Sequence, residues 1–382
     1  MQGLRGVLLS QEGRLDFVDA LRGLALLGVM VVHTGQHVAG LPPRAAAITN
    51  AGSYGVQLFF VASAFTLFYS LHQRSRSEAR PMLNYFLRRL FRIAPLFWLA
   101  VPFYVKWYGT GPQYWAPHGL GWRDVLATAA FVHGWHPTMI NSVVPGGWSI
   151  AVEMNFYLLV PLLFARLTNL RRCLWFFIGC AAAQGVLNAA MRPVFVRLLA
   201  ADEQHLVDLM HALWLPTQMP VFAAGFALYY VLAPRLGRGR GDAALAAPPD
   251  RPPSPVLLIA VAATVLALLW QSPPVAFVGS LLAILAAALA VRPISLLVNG
   301  WTRYLGNISY SGYLVHFAVL DIAERVIRHF TALPRYPLTY LPVLFAATLF
   351  GTVVVATMTN RLIEEPARAL GRSLIARLER QR

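Results

Sequence analysis

Ionisable side chains inside apolar segments are the first sign of chemistry in this sequence. Arg22 and His33 lie about three helical turns apart, so both would project from one face of a helix, roughly 16 Å apart along its axis. Glu153 and His316 lie roughly 20 Å into two other apolar segments, counted from the arginines at the ends of those segments. Three segments thus carry a titratable group at a similar predicted depth, which favours one shared site. The structural alternative is that each histidine donates to a carbonyl of a neighbouring helix and Glu153 pairs locally.

A polar stripe runs along the segment that carries Glu153. Ser149, Glu153 and Tyr157 recur every four residues and therefore lie on one helical face. The stripe ends at Pro161, whose missing N–H frees the backbone carbonyl of Tyr157. Such a stripe is typical of a cavity wall, and its alternative is a polar contact between helices. We favour the cavity, because a glutamate is a costly group for a simple helix contact.

An arginine cluster precedes the third apolar segment. Arg88, Arg89 and Arg92 come shortly before Pro95, and Arg88 and Arg92 share a helical face. A guanidinium pairs with phosphate in bidentate geometry, so the cluster predicts a clamp for an anionic cofactor that arrives from the cytoplasm. Ordinary anchoring of the segment at the membrane surface is the alternative, and composition does not choose between the two.

Two aspartates precede Arg22 on its own segment. Asp16 and Asp19 lie about two turns and one turn before it, where they could hold its guanidinium by charge pairing. They are equally well placed as carboxylates at the N-terminus of a helix, where the helix dipole favours negative charge. Both roles stay open, and in either role they support Arg22.

The composition predicts an all-α integral membrane protein, organised as a single domain over residues 1–382. The chain is 57% hydrophobic and 13% charged, and a helix of about 20 apolar residues crosses a bilayer. About ten windows meet this requirement: 17–38, 54–72, 92–108, 148–165, 173–191, 212–233, 256–271, 275–291, 304–322 and 338–360.

The arginines predict the orientation of these helices. The net charge is +16, and most arginines stand in short connections between apolar windows, which is typical of a topology signal and not of nucleic-acid binding. With ten helices and the arginine-rich connections on the inside, both termini lie in the cytoplasm. A flexible inner loop at 234–255 and a basic tail at 361–382 then lie on the same side. The segment 109–147 then lies outside, and whether 123–134 spans the membrane or is re-entrant stays open.

The predicted outer segment is rich in aromatic residues. It carries Trp115, Trp122, Trp135 and Trp148. A belt at the membrane interface is the ordinary interpretation, and a platform for stacking on sugars is the sharper one.

The two cysteines predict no metal site. Cys173 and Cys180 are too few for a zinc site and too far apart along a helix to bridge, so no metal is expected.

Six motifs, taken in order, resemble the acyltransferase family 3 membrane proteins. They are LDFVDALRGLALLGVMVVH at 15–33, GVQLFFVASAF at 55–65, RRLFRIAP at 88–95, GGWSIAVEMNFYLLVP at 146–161, ISYSGYLVH ending at His316, and IEEPAR near Glu364. The resemblance implies a multi-span O-acyltransferase of the bacterial inner membrane that acts on surface sugars. It also implies that Arg22 and His33 are the family's essential pair, that Arg89 and Arg92 form its RxxR motif, and that Glu153 is the glutamate that follows the Trp-Ser pair in the family's motif. Ala64 departs from the family pattern, which has glycine there.

The predicted reaction moves an acyl group, with acetyl the expected one, from cytoplasmic acyl-CoA to a hydroxyl of a cell-envelope carbohydrate on the outer side. His33 would be the general base or would carry the acyl group itself, and the sequence does not separate the two. Arg22 and Glu153 would assist, and His316 would donate to the developing oxyanion or shape the pocket. The other expected pocket residues are Trp148, Ser149, Tyr157 and Tyr313. The alternative function is a proton-coupled transporter of a small anionic solute.

Overall fold

The computed structural model describes residues 15–75, 77–236 and 274–380, and within these ranges the chain is helical without a β-strand. This confirms the all-α prediction. The helices are α1 (Asp16–Gln36), α2 (Pro43–Asn50), α3 (Gly55–Arg74), α4 (Pro81–Tyr108), α5 (Trp122–Ala129), α6 (Gly147–Arg166), α7 (Leu170–Leu198), α8 (His205–Leu213), α9 (Leu215–Leu236), α10 (Val275–Val291), α11 (Gly300–Asn307), α12 (Ser309–Phe330), α13 (Pro337–Thr359) and α14 (Glu365–Arg380).

Seven helical stretches in the described part of the chain are long and apolar enough to cross a membrane. They are Asp16–Gln36, Pro43–Arg74, Pro81–Tyr108, Gly147–Arg166, Leu170–Leu198, His205–Pro234 and Pro337–Arg380. Of the other predicted spans, 256–271 lies outside the described residues, 275–291 forms the shorter apolar helix α10, and 304–322 is divided between α11 and α12. The multi-span architecture is therefore confirmed, whereas the count of ten and the orientation stay predictions.

The predicted outer segment forms only short helices. Helix α5 has 8 residues, which at 1.5 Å per residue gives a length of about 12 Å. A bilayer core is about 30 Å thick, so 123–134 does not cross it as a helix. Most of the predicted inner loop 234–255 lies outside the described residues. The predicted basic tail, in contrast, is helical, because α13 continues through a π-helical turn at Asn360–Glu364 into α14.

The described chain falls into two compact units. The first comprises Met1–Thr66 and Ala224–Thr357, and the second comprises Leu67–Ala223 and Met358–Arg382. In the first unit, α1 crosses α11 at two glycines. A Cβ atom added at Gly23 would collide with the carbonyl of Thr302, and one added at Gly306 would collide with the carbonyl of Asp19. Glycines allow helix backbones to approach closely in a membrane, where apolar burial does not drive helices together.

A second close approach accommodates Ala64, the residue that departs from the family pattern. Its side chain is fully buried in α3. A Cβ atom at Gly225 of α9 would lie 2.7 Å from the Ala64 methyl group. The glycine at this contact is therefore supplied by α9, and the backbones stay close although α3 carries an alanine.

In the second unit, α14 packs against α4. A Cβ atom at Gly371 would lie 2.9 Å from the Cβ atom of Phe91. Helix α14 therefore lies beside the N-terminal half of α4, which carries the arginine cluster. The two cysteines of α7 are unbridged, as their spacing predicted, and Cys173 is buried.

Candidate active site

His33 of α1 and His316 of α12 lie side by side in the first unit. Their ring centroids are 5.3 Å apart. His316 is fully buried, while His33 is half-buried. Two of the three titratable groups predicted at one depth are thus in one place. Glu153 belongs to the second unit, and its relation to His33 stays a prediction.

Hydrogen bonds define the tautomer of both histidines. His316 Nδ1 lies 2.7 Å from the Tyr313 carbonyl oxygen, and because a carbonyl only accepts, Nδ1 carries the proton. His33 Nδ1 lies 3.0 Å from Gln36 Oε1 and is the donor in the same way. In each neutral ring the lone pair is therefore on Nε2. A neutral ring of this tautomer has no free N–H, and the predicted roles of His316 as an oxyanion donor or as a pocket residue stay predictions.

Aromatic rings lie beside the histidine pair. The Phe317 centroid lies 4.4 Å from that of His33 and 4.1 Å from that of His316. Tyr313 lies 5.9 Å from His316 and makes an edge contact with Phe59 at 6.1 Å. Tyr313 was predicted as a pocket residue, and its ring does lie beside His316. Aromatic rings therefore cover one side of the pair, and His316 is the more protected of the two rings.

Arg22 is fixed by two side chains in the first unit. Its Nη1 lies 3.5 Å from Asp19 Oδ1, and its Nη2 donates to Thr66 Oγ1 at 3.2 Å. The predicted support from Asp19 is thus present. Asp16 pairs with Arg303 of α11 and so joins α1 to α11, and its predicted support of Arg22 stays a prediction. The pairing with Thr66 had no signal in the sequence, because threonine is common in apolar helices.

The polar stripe of α6 lies in the second unit. Tyr157 donates to Glu153 Oε1, and Ser149 Oγ donates to the Gly146 carbonyl at 3.0 Å. The Tyr157 carbonyl, which Pro161 leaves without its helical donor, accepts from the Tyr85 hydroxyl at 3.2 Å. The predicted release of this carbonyl is therefore confirmed, and a neighbouring helix uses it. The stripe connects Glu153 to α4 through two tyrosines.

The opposite face of α6 is held by a short loop that follows α5. Asn155 Nδ2 donates to the Phe131 carbonyl at 2.8 Å, and Trp135 Nε1 donates to Asn155 Oδ1 at 3.1 Å. Buried His133 lies 3.0 Å from the Gly147 carbonyl through Nε2, and burial lowers the pKa of His133 to about 4. Phe131 has a φ of 61°, an unfavourable conformation for a bulky residue. These contacts set the rotation of α6, and hence the direction of Glu153.

The arginine cluster divides into a paired and an unpaired part. Arg88 forms a bidentate pair with Glu78, at 2.8 and 3.0 Å. Within the described ranges, Arg89 and Arg92 have no carboxylate partner, and the buried Nε of Arg89 has no hydrogen-bond acceptor. The Arg89 guanidinium carbon lies 5.8 Å from the Tyr157 ring centroid. Arg89 and Arg92 thus fit an anionic ligand, whereas the charge of Arg88 is already balanced.

Two carboxylates brace the start of α4, and both were missed in the sequence. Glu379 of α14 accepts from the backbone N–H groups of Ala79 and Arg80, at 2.8 and 3.1 Å. Asn84 Nδ2 donates to Glu379 at 2.8 Å and to Glu78 at 3.0 Å. A carboxylate at a helix N-terminus is stabilised by the helix dipole. One indication of this role was present in the sequence, because Glu78 and Glu379 stand in segments that are otherwise rich in arginine.

The tryptophans of the predicted outer segment do not share one role. Trp115 and Trp148 pack against an apolar cluster that includes Ile140 and Trp214. Trp122, in contrast, is 69% exposed. Trp148 therefore packs at the start of α6, and its predicted contact with substrate stays a prediction.

In the described part of the chain, no three His, Cys, Asp or Glu side chains are grouped as metal ligands.

Comparison with known proteins decides the family. The family model for acyltransferase family 3, described as an acyltransferase domain, matches residues 15–359. The chain belongs to acyltransferase family 3. It is also similar to the acyltransferase MdmB of Streptomyces mycarofaciens, with 26% identity over 378 residues, which cover 94% of this chain and 93% of that protein. No solved structure matches the chain. The protein is accordingly an acyltransferase with several membrane-spanning helices.

Proposed function

We propose that this acyltransferase moves an acyl group, with acetyl the expected one, from acyl-CoA to a hydroxyl of a cell-envelope carbohydrate at the bacterial inner membrane. The observation that carries the proposal is the His33–His316 pair, two imidazole rings whose centroids lie 5.3 Å apart and whose Nδ1 atoms are both held by hydrogen bonds. A basic nitrogen of this kind either removes the proton of a hydroxyl or attacks a thioester.

The donor is proposed from the charge at the start of α4. Arg89 and Arg92 lack carboxylate partners among the described residues, and Arg89 lies over the Tyr157 ring. Coenzyme A carries phosphates, which guanidinium groups bind in bidentate geometry. Placed at the cytoplasmic side, as the arginine pattern predicts, these two residues would bind the phosphates of acyl-CoA. Arg88, held by Glu78, would shape this surface without binding the donor directly.

Two further residues take roles in the proposal. Arg22, fixed by Asp19 and Thr66, places a positive charge on the helix of His33, where it would stabilise the negative charge that develops during acyl transfer. Glu153, hydrogen-bonded to Tyr157, would orient the acceptor. Both assignments follow the family resemblance of the motifs in which these residues stand.

The test is acyl transfer by purified protein in liposomes. Acyl-labelled acetyl-CoA and propionyl-CoA are supplied to wild type, Arg89→Gln and the control Arg171→Gln, with extracted cell-envelope glycan as the acceptor. Arg171 is exposed on α7, and its substitution by glutamine removes the same single positive charge as Arg89→Gln does. We expect label in the glycan with wild type and the control, and at least tenfold less with Arg89→Gln at low donor concentration. The proposal would be contradicted if neither acyl-CoA delivered label to the glycan and an anionic solute accumulated inside the liposomes.

A further inference from the structure

The Nε2 atom of His316 has no hydrogen-bond partner among the described residues, although the side chain is fully buried. Buried polar atoms are nearly always satisfied, so an unsatisfied one calls for an explanation. His133 Nδ1 and His211 Nε2 are unsatisfied as well, but His316 differs from both because its ring lies beside that of a second histidine of the family motifs, His33. His316 is bonded only through Nδ1, its Nε2 keeps a lone pair in the neutral ring, and the ring centroid lies 5.3 Å from that of His33.

A single base does not account for this arrangement. If His33 merely removed a proton from the acceptor, a second basic ring in contact with it would have no task. If His33 forms a bond to the acyl group, its Nε2 lone pair is consumed, and the acceptor hydroxyl then needs another base. Among the described residues that bond or stack with the His33 ring, which are Gln36, Phe317 and His316, His316 alone is able to accept a proton.

We propose that transfer takes two steps, in which His33 carries the acyl group and His316 is the general base of the second step. This rests on the proposed function above. In the first step, His33 Nε2 attacks the thioester carbon, the carbon–sulfur bond breaks, and the coenzyme A thiolate leaves. In the second step, His316 Nε2 takes the proton of the acceptor hydroxyl, whose oxygen attacks the acyl carbon. The carbon–nitrogen bond breaks, His33 is restored, and the proton on His316 passes to water, from which the thiolate released in the first step has already taken one.

Gln36 and Tyr313 are positioning residues in this scheme. The Gln36 side chain holds His33 Nδ1, and the Tyr313 carbonyl holds His316 Nδ1, so both Nε2 lone pairs are retained in the neutral rings. Because the two residues belong to α1 and α12, the scheme also depends on the packing of these helices within the first unit.

The experiment separates the two half-reactions in purified, liposome-embedded protein. Release of coenzyme A thiol and retention of acyl label on the protein are measured without acceptor, and transfer is measured with glycan. Hydroxylamine is then added, because it attacks an acyl-imidazole without help from a protein base. The variants are His316→Gln, His33→Gln and the control His329→Gln, an exposed histidine of the same helix α12.

We expect His316→Gln to release thiol and retain label as wild type does, to transfer to glycan about 10²-fold to 10⁴-fold more slowly, and to lose its label to hydroxylamine at the wild-type rate. This last signal is not available to a misfolded protein. His33→Gln should show no retained label. Glycan transfer by His316→Gln at the wild-type rate, or no retained label on wild type during transfer, would overturn the two-step scheme. Absence of thiol release and of transfer with wild type would instead overturn the proposed function.

Discussion

The ring centroids of His33 and His316 lie 5.3 Å apart, although the two residues belong to α1 and α12, near opposite ends of the chain. Two features of the first unit bring these helices together. Helix α11, which directly precedes α12, crosses α1 at Gly23 and Gly306, and Asp16 of α1 pairs with Arg303 of α11. The chemistry assigned to the histidines therefore depends on backbone contacts away from them.

Substitution of Gly306 by alanine should separate α1 from α11. The added methyl group would collide with the backbone carbonyl of Asp19. Unlike a side chain, a backbone carbonyl cannot rotate away from the contact. We expect a loss of about 1–3 kcal/mol in the free energy of unfolding, seen as a lower Tm in detergent, together with lower transfer. Gly300→Ala in the same helix, where a Cβ atom meets nothing within 4 Å, is the matched control. Equal Tm values for the two variants would show that the crossing does not need a glycine.

Replacement of Arg22 by lysine should reduce acyl transfer although the positive charge is kept. A lysine ammonium is a point charge and cannot reproduce the fork that reaches both Asp19 and Thr66. We expect at least a tenfold lower kcat with little change in the KM for acyl-CoA. Thr66→Val, which removes one neutral hydrogen-bond partner, should cost less, about threefold to tenfold. Wild-type kcat in Arg22→Lys would show that charge alone is required.

Arg88 and Arg89 should respond differently to neutralisation. Arg89→Gln removes an unpaired guanidinium, so we expect the KM for acyl-CoA to rise about tenfold or more without loss of Tm. Arg88→Gln removes the bidentate partner of Glu78 and leaves it Arg74 and Asn84, so we expect mainly a lower Tm, which the double variant Glu78→Gln/Arg88→Gln should partly restore. A larger rise in KM for Arg88→Gln than for Arg89→Gln would reverse these roles.

The C-terminal helix should influence donor binding through Glu379. Its carboxylate holds the backbone at Ala79 and Arg80 just before α4, so Glu379→Gln weakens the hydrogen bonds that position the arginine end of that helix. We expect a severalfold higher KM for acyl-CoA with kcat nearly unchanged, and recovery in Glu379→Asp. Glu365→Gln, at the other end of α14, serves as the control. A fall in kcat alone would show that Glu379 acts elsewhere.

The sequence predicted the helical class and all seven of the long helical stretches, because each depends on local information. Apolar length gives a membrane helix directly, and the spacing of Arg22 and His33 follows from helical geometry. Pro161 likewise predicted a freed carbonyl at Tyr157, which the structure shows bonded to Tyr85.

Pairings between distant segments were not predictable in this way. The pair between Asp16 and Arg303 is an example, because it depends on which helix crosses α1 and at what height. The bond between Arg22 and Thr66 and the bracing of α4 by Glu379 are set by tertiary packing in the same way. The tautomer of His316 required the position of the Tyr313 carbonyl, which sequence does not provide.

The most direct test of the central claim is the rate of acyl transfer to glycan by His33→Gln, compared with wild type in the same liposomes and at matched Tm. We expect a rate at least 10³-fold lower, because the variant lacks the nitrogen that attacks the thioester. A correctly folded His33→Gln protein that transfers acyl groups within threefold of the wild-type rate would contradict the assignment of the histidine pair as the catalytic centre.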